Sequence, residues 1–358
     1  MNKNLKIAIA ATLHKRVRRQ ATGGTEVFTY LLTKELAGRG HLVTVFASGD
    51  SEVAGGHLEG IATEEKINQL EQSQKLFYGY QLLESEQLAL RQDEFDIIHV
   101  NYFEPFLFTP FSKLFSKPVI YSVHSDLLAS PAWQEVIQQM VKPTDKFIFV
   151  SESACKAVEH LGQKDFIYNG IDLESFPFSE THDNYLLWLG RIRKKKGIKE
   201  AALAAVESGE RLIMAGVIDN PEEKQFFEDE VKPIIDKNKN IEFIGEVGFA
   251  EKIRLYQRAK AFLFPVSWEE PFGLTMTEAM ACGTPVIGFS RGAVSEVVAD
   301  GQTGFVVEDV KQMAAAIRKI DKISRRQCRE RVEEKFSVAR MTDQYEALYQ
   351  EIIAKGGE

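Results

Sequence analysis

A chain of 358 residues with 27% charged side chains and a net charge of −8 points to two domains of ordinary size, and its acidic balance argues against wholesale coating of nucleic acid. Its 44% hydrophobic content can supply real cores, yet no run approaches the ~18 apolar residues of a membrane-spanning helix. Three widely spaced cysteines (Cys155, Cys282, Cys328) with no CxxC pair argue against a disulfide framework or a zinc site. They suit three buried small hydrophobes in a reducing cytoplasm.

The chain begins with a strand, KIAIAA, whose basic residues follow the apolar run instead of preceding it, unlike a secretory leader. The turn ATGGTE (21–26) then leads into an amphipathic segment, Thr25–Ala37, closed by GRG at 38–40 as a C-terminal cap. Strands LVTVFA and DIIHV follow, the latter running into HVNYFEP with Asn101 and Glu104. FLFTPFSKLF places Phe108, Phe111 and Phe115 at helical core spacing. Strand PVIYSV ends at His124, the segment Pro131–Val141 is helical in period, and KFIFV is another strand. The polar stretch NGIDLESFPFSETHDN, with Pro177, reads as a linker. A second series follows: YLLWLG, RLIMAG, IEFIG, AFLFP, TPVIGF and GFVVE. The closing segment carries Met341, Tyr345, Leu348, Tyr349 and Ile352 at helical spacing. Apolar strands alternating with helical periods predict parallel sheets covered on both faces. The expected organisation is two doubly wound α/β domains, 1–170 and 183–335, with a closing helix over 338–355 that packs back on the first. In such folds ligands bind at the carboxyl ends of strands.

Charged groups gather at those ends. The stretch WEEPFGLTMTEAMACGTPVIG (268–288) sets Glu270 before a Gly turn and Glu278 inside the helix that follows. Amides at Gly273, Leu274 and Thr275 would face a phosphate, since a helix N-terminus carries unpaired N–H groups and positive potential. Glu270 would then face hydroxyls, and Glu278 could accept from a vicinal diol such as ribose. Acids are also favoured near helix starts on ordinary grounds, so the pair alone leaves both readings open. In GRIRKKKG (190–197), Arg191 and Lys196 follow a strand end and suit a diphosphate, whereas Arg193, Lys194 and Lys195 read as a solvated charge run. Gly23 and Gly24 allow close backbone approach to a ligand, although no GxGxxG is present. A strand-end histidine such as His124 can be structural or functional.

In order along the chain, GGTE, RGHLVTVFASGD, VHSD, YNGIDLESF, LGRIRKKKGI, the E-x7-E block ending in CGTPVIG, and GFVVE resemble the retaining nucleotide-sugar glycosyltransferases of family 4. The resemblance spans nearly the whole chain. It implies the GT-B fold, two Rossmann-like domains facing across a cleft: an acceptor-side first domain and a donor-binding second domain. It implies that Glu270 contacts donor-sugar hydroxyls, with the Phe272–Thr275 amides (Phe272, Gly273, Leu274, Thr275) near sugar and phosphate. Glu278 would bind ribose, and Arg191 and Lys196 would clamp the diphosphate with help from Gly23–Gly24. His124 would place the transferred sugar, and Val247 would meet the nucleobase. Asn101 stands where many relatives carry histidine or serine, so Asn101 and Glu104 are expected to face an acceptor whose identity does not transfer.

The function expected from this is transfer of a sugar from a nucleotide-diphosphate donor, UDP favoured, to an acceptor hydroxyl with retention of configuration. The acceptor could be a glycan, a lipid or a small molecule. The nucleotide sugar is a co-substrate and no cofactor is expected; with no DxD motif, no metal is required. The alternatives are a GT-B nucleotide-sugar epimerase and a catalytically silent nucleotide-sugar-binding protein. A cytoplasmic location is expected, with no nucleic-acid partner and at most peripheral membrane association; the basic loop at Lys15–Arg19 could touch an acceptor or lipid head groups.

Overall fold

The computed structural model describes residues 4–21, 23–68, 73–102 and 104–355; Thr22 of the ATGGTE turn and Phe103 of HVNYFEP lie outside them. The chain divides into two units, residues 1–170 with 338–358, and residues 171–337.

In the first unit seven strands, β1 (Lys6–Ala11), β2 (Leu42–Ala47), β3 (His57–Gly60), β4 (Ile97–Asn101), β5 (Val119–Val123), β6 (Lys146–Phe149) and β7 (Gln163–Phe166), form one sheet in the order β3-β2-β1-β4-β5-β6-β7. Every pairing is parallel. Parallel strands need crossovers, and the apolar runs of β1, β4 and β5 are buried on both faces by them. One face packs Phe46, Phe108, Tyr121 and Phe147, among others. The other packs Phe28, Leu32 and Leu36 of helix Gly24–Gly38 with Met341, Tyr345, Leu348 and Tyr349 of the closing helix Val338–Lys355. Arg39 bonds Asp343 at 2.7 Å and Glu346 at 3.0 Å, joining the same two helices at the rim. Gly40, at φ +93°, reverses the chain after the first helix.

The segment around Phe108 is not the helix its spacing predicts but two 3-10 turns, Pro105–Leu107 and Thr109–Leu114, each with proline near its start. Phe108 and Phe115 are nonetheless buried and stacked at 5.2 Å, and Phe111 packs against the same core.

The second unit repeats the topology with six parallel strands, β8 (Leu186–Leu189), β9 (Leu212–Ala215), β10 (Ile241–Phe243), β11 (Ala261–Phe264), β12 (Val286–Phe289) and β13 (Gly304–Val307), in the order β10-β9-β8-β11-β12-β13. Residues 171–182 do not run as a free linker. The Ile171 amide bonds Phe336 O at 2.8 Å, the Ser179 amide bonds Cys282 O at 3.0 Å, and Phe176 is buried, so this segment is fastened to the second unit. Cys282 and Cys328 are buried, and burial pushes both thiols up to about 12; Cys155 is half-buried.

In both sheets the strand order reverses beside the first strand, between β1 and β4 and between β8 and β11. Crossovers leave opposite faces on either side of that point, which opens a crevice at the strands' carboxyl ends.

Candidate active site

At the switch point of the second unit, the loop after β11 is bound to the loop after β8 through its backbone: the Ser267 amide donates to Lys195 O at 3.0 Å, while Trp188 Nε1 of β8 holds its own loop by donating to Lys196 O at 3.1 Å. Gly197 makes this possible. Its φ is +74° and a Cβ there would strike the Pro265 carbonyl, so no other residue fits without displacing the β11 loop. The result sets Lys196 Nζ 2.8 Å from Glu270 Oε2. Glu270 is nearly enclosed, its side chain 9% exposed, and Trp268 lies against the cation with its ring centroid 4.7 Å from Lys196 Nζ. Trp268 also receives Lys195 at 4.0 Å, and its Nε1 is buried without a hydrogen-bond partner. Of the neighbouring cations, Lys194 and Lys195 are exposed, as expected of a solvated run, and Arg193 departs from it. Arg193 pairs with buried Glu223 at 2.8 Å and Lys194 with Glu230 at 3.3 Å, which fixes the loop from its outer side.

Beyond Glu270, Gly273 adopts φ +85° and starts the helix Leu274–Ala281, an end that no side chain caps. Leu274 and Thr275 are half-buried there, while the Phe272 ring turns inward against Phe336, so Phe272 can offer a ligand only its backbone. Inside the helix, Glu278 is held at both oxygens. Lys252 Nζ donates to Oε1 at 2.9 Å and Tyr256 OH donates to Oε2 at 3.0 Å. Sequence reasoning missed these two partners, although their i,i+4 spacing on the helix Phe249–Arg258 puts them on one face. It also missed Trp268. Arg191 is more open, 38% exposed and 3.8 Å from Asp219, and Val247 is half-buried in the loop after β10.

In the first unit, Gly23 is the N-cap of helix Gly24–Gly38, and the Glu26 carboxylate folds back against it where a Cβ would stand. At the end of β4, Asn101 is fully buried; its Nδ2 reaches Thr29 Oγ1 at 3.4 Å and its Oδ1 has no partner. The side chain expected to face an acceptor therefore braces the helix from below instead of lying open. Glu104 is half-buried, and burial raises its carboxyl above the usual range against a smaller opposing pull from the Tyr78 hydroxyl.

His124 follows β5 and meets the Phe28 ring edge-on, centroids 4.6 Å apart. Burial lowers its pKa to about 4, so it is neutral at physiological pH, and its Nε2 is enclosed with no partner. Behind it, His99 bonds Tyr349 at 2.7 Å and Ser122 at 2.6 Å, and Ser122 bonds Tyr345 at 2.8 Å. That network ties β4, β5 and the closing helix beneath the residue.

Among the described residues, no three His, Cys, Asp or Glu side chains are grouped to hold a metal ion, and no helix is long and apolar enough to cross a membrane.

Two doubly wound parallel sheets, each with charged or polar groups at its switch point, define the GT-B class of sugar transferase. Residues 172–336 match the model of glycosyl transferases group 1, and residues 22–175 match that of glycosyltransferase family 4. N-acetyl-alpha-D-glucosaminyl L-malate synthase of Bacillus anthracis is 25% identical over 98% of both chains. Glycogen synthase of Mycobacterium tuberculosis is 30% identical over 51% of this chain and 46% of its own. In fold, sucrose-phosphate synthase from Thermosynechococcus elongatus superposes with a TM-score of 0.78 at 20% identity, covering 98% of this chain and 100% of that one. Anabaena HepE, solved with UDP and glucose, superposes with a TM-score of 0.72 at 17% identity, covering 97% and 100%. The chain is a GT-B glycosyltransferase related to the family 4 and group 1 enzymes. It transfers a sugar from a nucleotide-diphosphate sugar to an acceptor.

Proposed function

We propose that the transfer is from a UDP-sugar to an acceptor hydroxyl with retention of anomeric configuration, and that the second unit holds the donor. The observation that carries this reading is the Lys196–Glu270 pair at 2.8 Å, at the switch point of the second sheet and beside an uncapped helix end. A diphosphate and a sugar would each replace one half of that pair. Lys196, Arg191 and the Phe272–Thr275 backbone take the phosphates, Glu270 turns to the sugar hydroxyls, Glu278 binds the ribose, and Val247 borders the base. The negative charge that develops on the departing β-phosphate meets these fixed cations and amides, so the chemistry needs no divalent ion.

In this reading the first domain serves the acceptor. His124 contributes as a neutral hydrogen-bonding group that fixes the transferred sugar. Its enclosed, unpartnered Nε2 supports that role, because a buried polar atom left unpaired costs stability until something bonds it. Retention follows from attack on the same face as departure through an oxocarbenium-like ion pair. Glu270, turned to the sugar hydroxyls, is an electrostatic partner in that scheme and not a covalent nucleophile. The nucleotide in HepE is UDP, and UDP is the nucleotide favoured here. By their names the relatives make an N-acetylglucosaminyl malate and glycogen, so a small molecule and a glycan are both open as acceptor, with a lipid third. The free cysteines suit a cytoplasmic setting.

The test is a thermal-shift screen of UDP-, GDP- and ADP-sugars followed by release of nucleoside diphosphate with and without candidate acceptors. Stabilisation by a UDP-sugar and slow hydrolysis that acceptor accelerates are expected. Interconversion of the sugar with no diphosphate released would favour an epimerase, and binding without turnover a silent binding protein.

A further inference from the structure

We infer that Lys252 and Tyr256 are positioning residues that set the enzyme's preference for ribonucleotide over 2′-deoxyribonucleotide donors, an inference that rests on Glu278 as the ribose-binding acid. A carboxylate on a flexible side chain can meet a diol through one oxygen or both, and only a fixed carboxylate plane offers two acceptors at once. Here the plane is fixed from behind. Lys252 and Tyr256 each take one oxygen of Glu278, at 2.9 Å and 3.0 Å, from successive turns of one helix. An ionised carboxylate has about four acceptor positions, so each oxygen keeps a place for a ribose hydroxyl.

Both partners are themselves constrained. The Tyr256 ring is fully buried edge-on against Phe262, and its carbonyl accepts from Thr284 Oγ1, which Arg325 also bonds. Burial, and secondarily the Glu278 charge, keep its hydroxyl protonated and therefore a donor. Lys252 Nζ lies 5.1 Å from the Phe249 ring and 5.4 Å from that of Phe176, which confine the ammonium on its other sides. The same helix begins two residues after Val247, so the residue proposed to border the base leads directly into the element that orients the ribose acid.

The experiment measures the affinities of UDP, GDP and ADP, and of the 2′-deoxy form of each, by calorimetry on the wild type and on Tyr256→Phe, Lys252→Met and Glu278→Gln. The wild type should bind its preferred ribonucleotide about ten- to a hundredfold more tightly than the deoxy form, the scale of one hydrogen bond to a charged group. Tyr256→Phe and Lys252→Met should each shrink that ratio severalfold by weakening the ribonucleotide and leaving the deoxy form nearly unchanged. A residue that served only folding would weaken both forms equally. If Glu278→Gln loses the discrimination while both partner variants keep it, the inference fails and the ribose reading stands. If the wild type does not discriminate, or Glu278→Gln discriminates as well as it does, the ribose reading falls and takes the inference with it.

Discussion

In the second unit, the candidate groups are charged and already engaged, Lys196 with Glu270 at 2.8 Å and Lys252 with Glu278 at 2.9 Å. In the first unit, the candidate group at the end of β5 is an uncharged histidine among aromatic rings, with a nitrogen that bonds nothing. The difference follows from what each would bind. A diphosphate needs fixed positive charge, and a protein keeps such charge at a crevice by pairing it with acids that the ligand can displace. A sugar ring needs directed neutral hydrogen bonds, and a protein keeps an imidazole neutral by burying it. On the proposed function, the Lys196–Glu270 pair serves the donor diphosphate, Lys252 steadies the ribose acid, and the histidine serves the reacting sugar.

The contrast is broken most directly at His124. His124→Ala should lower kcat by about a hundredfold or more, the scale of removing one hydrogen bond from a reacting group, with donor affinity nearly unchanged. Loss of thermal stability with normal specific activity in the folded fraction would make the residue structural. Glu278→Gln keeps the shape and removes the charge, so it should weaken donor binding by about ten- to a hundredfold with a smaller effect on kcat. Equal donor affinity in a calorimetric titration would remove it from the donor site.

The two histidines sharpen the comparison through pH. Burial, with a smaller contribution from the neighbouring His124, holds His99 down to about 3, and burial holds His124 at about 4, whereas both titrate near 6.5 when unfolded. Below pH 6.5 the unfolded chain therefore binds more protons than the native one. Their contribution to stability is fully present above 6.5 and is lost as pH falls from there toward about 4 and below. Thermal melts should show that decline, and His99→Gln, which can keep a hydrogen bond to Ser122 or Tyr349, should make it shallower. An unchanged slope would mean that His99 is not held neutral. The smallest effect concerns metal: exhaustive chelation with EDTA should leave transfer activity essentially intact. Activity that vanishes with chelator and returns with magnesium or manganese would show that Lys196 and Arg191 do not supply the charge.

What could be read beforehand divides along the same line. Glu270, Glu278, Arg191 and Lys196 are legible as candidates because a strand, a Gly turn and a helix place them at fixed spacing, and the apolar strand runs give all six strands of the second sheet but five of the seven in the first, since the polar edge strands β3 (HLEG) and β7 (QKDF) carry no such run. Their partners are less legible. Lys252 and Tyr256 lie 26 and 22 residues before Glu278, and only tertiary packing brings them together. Arg193 looks solvated in a basic run because its acid, Glu223, is 30 residues away. Asn101 looks like an open strand-end group until helix Gly24–Gly38 closes over it through Thr29. The segment after Gly170 reads as a linker from its polarity, yet its backbone is bonded to Phe336 and Cys282 far along the chain.

The central claim is that the second unit's own cations hold the donor diphosphate. It is tested by titrating UDP, under chelation, into the wild type and into Lys196→Gln, which loses the charge but can still hydrogen-bond Glu270. The account predicts metal-free binding to the wild type and affinity lower by about tenfold or more in the variant, with the melting temperature little changed. Equal affinity in the two proteins, or wild-type binding that appears only when a divalent ion is added, would contradict it.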